Sequence, residues 1–226
     1  MADEPNGSIE VVAPTQILVE GKDDLSFFDE FIKHALDEEI RNNIQIHSYG
    51  GNTELEEYLL SLEMAQGPIA IQSVGIVRDA DENEASAFQS LRDALESTDL
   101  NWPIPDEVNV PAQGTPSVTT IILPGGGRPG ALETLLCDTL TDELTFCVDE
   151  YFKCAERWTE SARLQNIAQR DKGRARVYIA AQKRPHLSLG FSFKDKYWDF
   201  EHPAFGIVRR FLEVVSDASG FPLARE

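Results

Sequence analysis

The stretch TQILVEGKDDLSFF, Thr15 to Phe28, places carboxylates where burial should disfavour them. Ile17, Leu18 and Val19 are apolar enough for a buried strand, yet the run ends in Glu20 and reaches Asp23 and Asp24 within five residues. Acids at the end of a core strand repel one another and lose solvation, so solvent, a base or a cation must compensate. A second stretch, VGIVRDADEN, repeats the arrangement, with Val74, Ile76 and Val77 leading into Asp79 and Asp81. Turn chemistry with helix capping is the bland reading of those two aspartates. Brought together with the first cluster, they would instead make a hard, oxygen-rich site suited to Mg2+ or Mn2+.

Such convergence needs a sheet. Strand-like runs appear at Thr15 to Val19, Asn43 to Tyr49, Val74 to Arg78 and Thr119 to Leu123. The first three are each followed by a helical pattern: Leu25, Phe28, Ile32 and Leu36; then Leu55, Leu59 and Leu62; then Phe88, Leu91 and Leu95. This alternation predicts a mainly parallel α/β sheet, whose binding sites gather at the carboxyl ends of its strands, where Glu20 and Asp79 would both lie. Asn83 or Asp81 is placed to cap the third helix. Asn101 to Val118 carries four prolines and a glycine and predicts an irregular loop.

Beyond Ala131 the spacing is helical: Leu132, Leu135, Leu136 and Leu140, then Val148 to Ala168, then Lys172 to Gln182, and finally Ile207 to Val215. Two units result, an α/β unit over 14–140 and a helical extension over 141–226 packed on it. Within the first unit, LPGGGRPGALETLL holds four glycines whose freed amides, with a helix beginning near Ala131, could receive a phosphate, Arg128 assisting. A flexible Pro-Gly turn is the simpler reading. No GK[ST] follows, so nucleotide hydrolysis has weak support.

The chain has 226 residues and 42% hydrophobic content, sufficient for one globular core with an appendage. No apolar run approaches the roughly 18 residues of a membrane span. The acidic start MADEPNGSIE does not resemble a secretory signal, which predicts a cytoplasmic protein without membrane association. Cys137, Cys147 and Cys154 lack CxxC spacing, so they are expected to pack as small apolar groups rather than to bind zinc. A net charge of −19 argues against coating nucleic acid by bulk electrostatics. Arg157 to Lys196, however, contains ten Lys or Arg against three Asp or Glu. Arg170, Lys172, Arg174, Arg176, Lys183 and Arg184 are therefore either a substrate-holding surface or a solvated helix face.

ILVEGKDD followed by VGIVRDADEN resembles the Toprim domain of topoisomerases, primases and several nucleases, over about residues 14 to 140. That pattern is a glutamate after one strand and a DxD after a later one. The resemblance implies a Rossmann-like parallel sheet whose acids, here Glu20, Asp79 and Asp81, bind Mg2+ near a phosphodiester. Within the superfamily the chain is most similar to the small nuclease-like group and to the nuclease half of the overcoming-lysogenization-defect family. That likeness implies a second metal position at Asp24 and Glu133. The chain lacks an ATPase module, a zinc ribbon and the length for a topoisomerase gate, so it leaves a homodimer or a separate ATPase partner open.

The expected activity is metal-assisted hydrolysis of DNA or RNA, with Glu20, Asp24, Asp79, Asp81 and Glu133 holding one or two ions. A lysine would neutralise the transition state; Lys22, Lys172 and Lys183 are candidates, and Lys172 is preferred. Phosphate contacts are expected from Lys22, Arg128, Lys172, Arg174, Arg176 and Lys183. His34, His47, His186 and His202 lack paired spacing, and nothing around Tyr151 or Tyr178 marks a nucleophile. The rival expectation is a regulatory module that keeps the acidic site for a metal or phosphate without cutting anything.

Overall fold

A computed structural model describes residues 9–51, 53–160 and 166–220. Four parallel strands, β1 (Thr15–Val19), β2 (Ile44–Ser48), β3 (Ser73–Asp79) and β4 (Ser117–Leu123), form one sheet in the order β2-β1-β3-β4. All four expected strands are present, with ends moved by no more than two residues. Each expected crossover helix follows its strand: α1 (Lys22–Ala35), α3 (Leu55–Met64) and α4 (Glu84–Ser97), with a short α2 (Glu38–Arg41) before β2. Asn83 caps α4, its Oδ1 accepting from the Ser86 N–H at 2.8 Å, which leaves Asp81 free of that duty.

The strands are apolar on both faces because helices cover both faces. Leu18, Val74, Ile76, Val118 and Ile122 meet Leu55, Leu59 and Leu62 of α3 and Leu91 and Leu95 of α4. Ile17, Val19, Val77, Ile121 and Leu123 meet the opposite layer. That layer is built from Phe27, Phe28 and Phe31 of α1 together with a helix from the far end of the chain, α9 (Gly206–Ala218), through Val208, Phe211, Leu212 and Val215. The Phe27, Phe31, Phe193, Phe200 and Phe205 rings stack around one another between these helices.

The proline-bearing stretch before β4 is irregular, touching β4 at an antiparallel bridge between Ala112 and Val118 and through the Asn109 N–H, which donates to the Thr120 carbonyl at 2.8 Å. After β4 come α5 (Leu132–Cys137), α6 (Asp142–Glu156), α7 (Ile167–Ala180) and α8 (Leu189–Lys194). The helical pattern expected from Val148 to Ala168 is interrupted: α6 stops at Glu156, and residues 161–165 lie outside the described part. The expectation for the cysteines holds only at Cys137, because Cys147 and Cys154 on α6 are exposed. Among the described residues no helix is long and apolar enough to cross a membrane.

The close seating of α9 depends on a residue without a side chain. A Cβ on Gly75, in the middle of β3, would stand 2.6 Å from Phe211 Cζ and 3.1 Å from Val215 Cγ2. Both neighbours are fully buried, so neither can swing aside freely. Gly75→Ala should therefore destabilise the fold by about 1–3 kcal/mol through overpacking, and Phe211→Leu in the same chain should restore part of the loss. Thermal unfolding of the single and double variants checks both expectations.

Candidate metal centre at the strand ends

In the order β2-β1-β3-β4 the chain leaves β1 toward β2 on one side, and β3 lies on the other. Such a reversal of strand order opens a crevice at the carboxyl ends of the two central strands. Glu20 follows the last residue of β1 and Asp79 is the last residue of β3, so the two sequence clusters meet at this crevice. Asp24 reaches it from the first turn of α1, where its Oδ2 accepts from the Gly21 N–H at 3.1 Å. Glu133 reaches it from the first turn of α5, and the N–H of Leu132 donates to Asp79 Oδ1 at 3.0 Å.

These acids act on one another's ionisation. Burial pushes Asp24 up to about 7, and the charges of Glu133 and Glu20 add to the rise. Burial also lifts Asp79 well above the carboxylate range, with Asp24, Glu20 and Glu133 contributing in the same direction. Glu20 is raised by burial and by Asp81, against the opposing pull of Arg78, the Asp79 amide and Lys172. Glu133 is raised by burial, with Lys172 and Arg176 opposing. Glu20 Oε2 is buried and has no hydrogen-bond partner among the described residues.

Asp81 stands on an unusual backbone. Its φ is +50°, a left-handed conformation uncommon outside glycine. It is held there by a two-way bridge to Gly130: each residue's N–H donates to the other's carbonyl at 2.8 Å. This bridge ties the DxD turn to the glycine loop and so fixes α5, with Glu133, against the end of β3. Gly130 itself has φ +135°, and a Cβ there would lie 2.3 Å from Thr134 Oγ1, so only glycine fits.

The cations divide into two groups. Lys172 on α7 faces the acids: burial lowers its pKa, but Glu133, Asp79, Asp81 and Asp24 outweigh that and hold the ammonium charged. Arg176, one turn later, exerts its charge on Glu133. Arg174 points elsewhere, paired with Asp149 at 2.9 Å and Asp171 at 3.1 Å. Arg170 is paired with Glu156, Arg184 with Asp195, and Arg128 with Asp138 at 2.7 Å. Lys22 is exposed at the start of α1, and Lys183 is exposed in a turn beyond α7. The Gly127 N–H donates to Glu84, so that amide of the glycine loop is engaged within the chain.

Arg78 was not among the residues singled out from the sequence. It is 7% exposed, sits one residue before Asp79, and acts on both Glu20 and Tyr49. The signal available was an arginine inside an otherwise apolar strand run.

The donors are hard carboxylate oxygens without a cysteine or histidine among them, and a buried carboxylate oxygen lacks a partner, so the set fits Mg2+ or Mn2+ better than Zn2+. Among the described residues no three such side chains are already grouped around an ion-sized point. The acids ring the crevice, with Asp24 and Asp79 each turned toward a backbone N–H.

A family model described as protein of unknown function (DUF3226) matches residues 14–217. No curated protein matches the sequence. Two structures of the C-terminal region of the Xanthomonas campestris pv. campestris OLD protein, phased with platinum and with mercury, are similar to this chain at 15% and 14% identity. Their TM-scores are 0.48 and 0.49, and the alignments cover 92% of this chain and 94% and 97% of theirs.

The raised carboxylates set the pH response of the metal-free protein. Asp24 moves from 3.8 to about 7, so within that window the folded state binds more protons than the unfolded state. Stability must then fall as pH rises through the window. With EDTA present, the melting temperature should be lower at pH 8 than at pH 5.5, and Asp24→Asn should raise it at pH 8, because the amide oxygen can still accept from Gly21. A melting temperature unaffected by Asp24→Asn at pH 8 would remove Asp24 from the repelling cluster.

Proposed function

The chain belongs to the DUF3226 family, and on the chemistry of its strand-end site we propose that it is a metal-dependent phosphodiesterase acting on nucleic acid through a Toprim-type acidic centre. The observation that carries the reading is the meeting of Glu20 and Asp79 at the switch point of the sheet, with Asp24, Glu133 and the Lys172 charge acting on them. Glu20, Asp24, Asp79, Asp81 and Glu133 would hold one or two Mg2+ or Mn2+ ions. A bound ion there would polarise the phosphodiester and lower the pKa of an attacking water.

The chain's own residues account for the remainder. Lys172 acts on Glu20, Asp24, Asp79, Asp81 and Glu133 and would hold a non-bridging phosphate oxygen whose charge grows in the transition state. Arg176, on the same face of α7, would take the next phosphate, and Lys183 would add a further contact beyond the helix. Arg174, Arg170, Arg184 and Arg128 are committed to carboxylates within the chain and are poorer candidates for that track. Arg78 would position Glu20 by supplying a buried counter-charge from within β3.

Calorimetric titration with Mn2+ and a plasmid-nicking assay test the reading together. Asp79→Asn and Glu20→Gln should lose most cation binding and all detectable nicking. Lys172→Ala should keep cation binding and lose about 10²–10³-fold in rate, the size of effect expected for one group stabilising transition-state charge. Cation binding that survives Asp79→Asn unchanged would refute the metal centre. Binding without nicking of DNA or RNA by the wild type would leave a metal-binding regulatory module in its place.

The basic track has its own measure. Arg176→Glu with Lys183→Glu should weaken nucleic-acid binding and reduce its salt slope by about one per lost phosphate contact. Mn2+ affinity should stay nearly as in the wild type. An unchanged slope would make this segment a solvated surface.

A further inference from the structure

α8 buries Leu189 and Phe193 in the aromatic cluster and turns Phe191 the other way. The Phe191 ring is 59% exposed. It forms one wall of a recess of about 370 Å3, whose other walls are Arg184, His186, Leu187 and Ser188. Lys194 Nζ lies over the ring, 5.8 Å from its centroid.

A single exposed ring on a protein surface is ordinary. The charge around this one is not. Residues 183–196 hold four Lys or Arg against one Asp, in a chain of net −19. That aspartate, Asp195, accepts from Arg184 Nη1 through both oxygens, at 3.0 and 2.9 Å, and so neutralises one cation. Among the described residues no ion pair joins Lys183, Lys194 or Lys196 to an acid. The exposed rings of Phe146 and Tyr151 on α6 stand instead in a run that carries Asp142, Glu143, Asp149 and Glu150. An aromatic wall rimmed by uncompensated positive charge fits a ligand that joins a flat π face to a negative backbone, which is the chemistry of a nucleotide strand. An acidic peptide would satisfy the lysines and leave the ring without a partner.

The fold sets this ring beside the strand-end acids. α8 crosses the first turn of α1 at Gly190, where a Cβ would stand 2.7 Å from Ser26 Oγ and 3.6 Å from Asp23 Oδ1. Asp23 in turn acts on Glu133 of the crevice and directly precedes Asp24. Building on the nuclease reading of that crevice, we propose that Phe191 is a stacking platform for an unpaired base, and that the substrate class is single-stranded nucleic acid or an unpaired stretch within a duplex. In an intact duplex the faces of each base are covered by its neighbours, so the ring has nothing to stack on. In a single strand a base turned onto Phe191 would set its flanking phosphates near Lys183 and Lys194, with the backbone continuing toward the acids.

Fluorescence anisotropy of a labelled oligothymidylate in EDTA reads binding where nothing is cut. Phe191→Ala should weaken that binding about 5- to 100-fold, the effect of losing one base–aromatic stack. Phe191→Trp should keep wild-type affinity or better it. On a strand of the same length with abasic sugars in place of the bases, and on a blunt duplex, Phe191→Ala should bind as the wild type does. Lys183→Ala with Lys194→Ala should weaken base-bearing and abasic strands alike and lower the salt slope. Unchanged oligothymidylate binding in Phe191→Ala, an equal loss on base-bearing and abasic strands, or displacement of the label by polyglutamate as effectively as by unlabelled oligothymidylate would overturn the proposal. An absent metal centre has a different signature, no Mn2+ binding and no nicking with the Phe191 dependence in EDTA intact, whereas an absent stacking site leaves the loss of Mn2+ binding in Asp79→Asn untouched.

Discussion

Mutual repulsion among four partly buried carboxylates is the constraint around which this molecule is arranged. Asp24, Asp79, Glu20 and Glu133 come from three separate segments, and each is raised by burial. Left alone, such a cluster would push α1 and α5 away from the sheet ends. The fold resists with backbone: the Gly21 N–H holds Asp24, the Leu132 N–H holds Asp79, and the bridge between Asp81 and Gly130 locks the loop that carries α5. Carboxylates kept near one another at such electrostatic cost are characteristic of functional sites, where stability is given up for chemistry.

Charge balance around the site follows from the same constraint. A chain of net −19 repels polyanions as a whole, so attraction of the proposed nucleic-acid substrate would have to be local. α7 turns positive charge toward the acids on one face only. Lys172 and Arg176 look toward the acids, whereas Arg174, between them in sequence, is turned to Asp149 and Asp171. The helical period, which sends residues two apart to different sides, divides a basic run into a site-facing part and a structural part. Arg78 adds a buried positive charge from within the sheet.

The two layers of helices have different tasks. α3 and α4 cover one face of the sheet with aliphatic contacts and carry none of the central acids. The opposite layer joins α1, α5 and α7, which present Asp24, Glu133 and Lys172, to an aromatic cluster sealed by α9. The closing of that face by the last helix means that the C-terminal segment contributes to the core beneath the site.

The sequence by itself determined the strands, their crossover helices and the strand-end acids, because these are written in local periods of two and of three to four residues and in charged residues that break apolar runs. The cluster at Glu20 and Asp24 and the pair at Asp79 and Asp81 were legible for the same reason. Tertiary structure alone decided what depends on pairing between distant segments. It set β1 between β2 and β3, seated α9 on Gly75, and chose which cations face the acids. Arg128 and Arg174 resemble Lys172 in sequence, but ion pairs with Asp138, Asp149 and Asp171 claim them, and no local pattern encodes such partners. Arg78 goes unmarked in the sequence, and Cys147 and Cys154 of α6 are exposed where packing was expected, on the same ground, since burial is a property of what packs against a residue and not of the residue's neighbours in the chain.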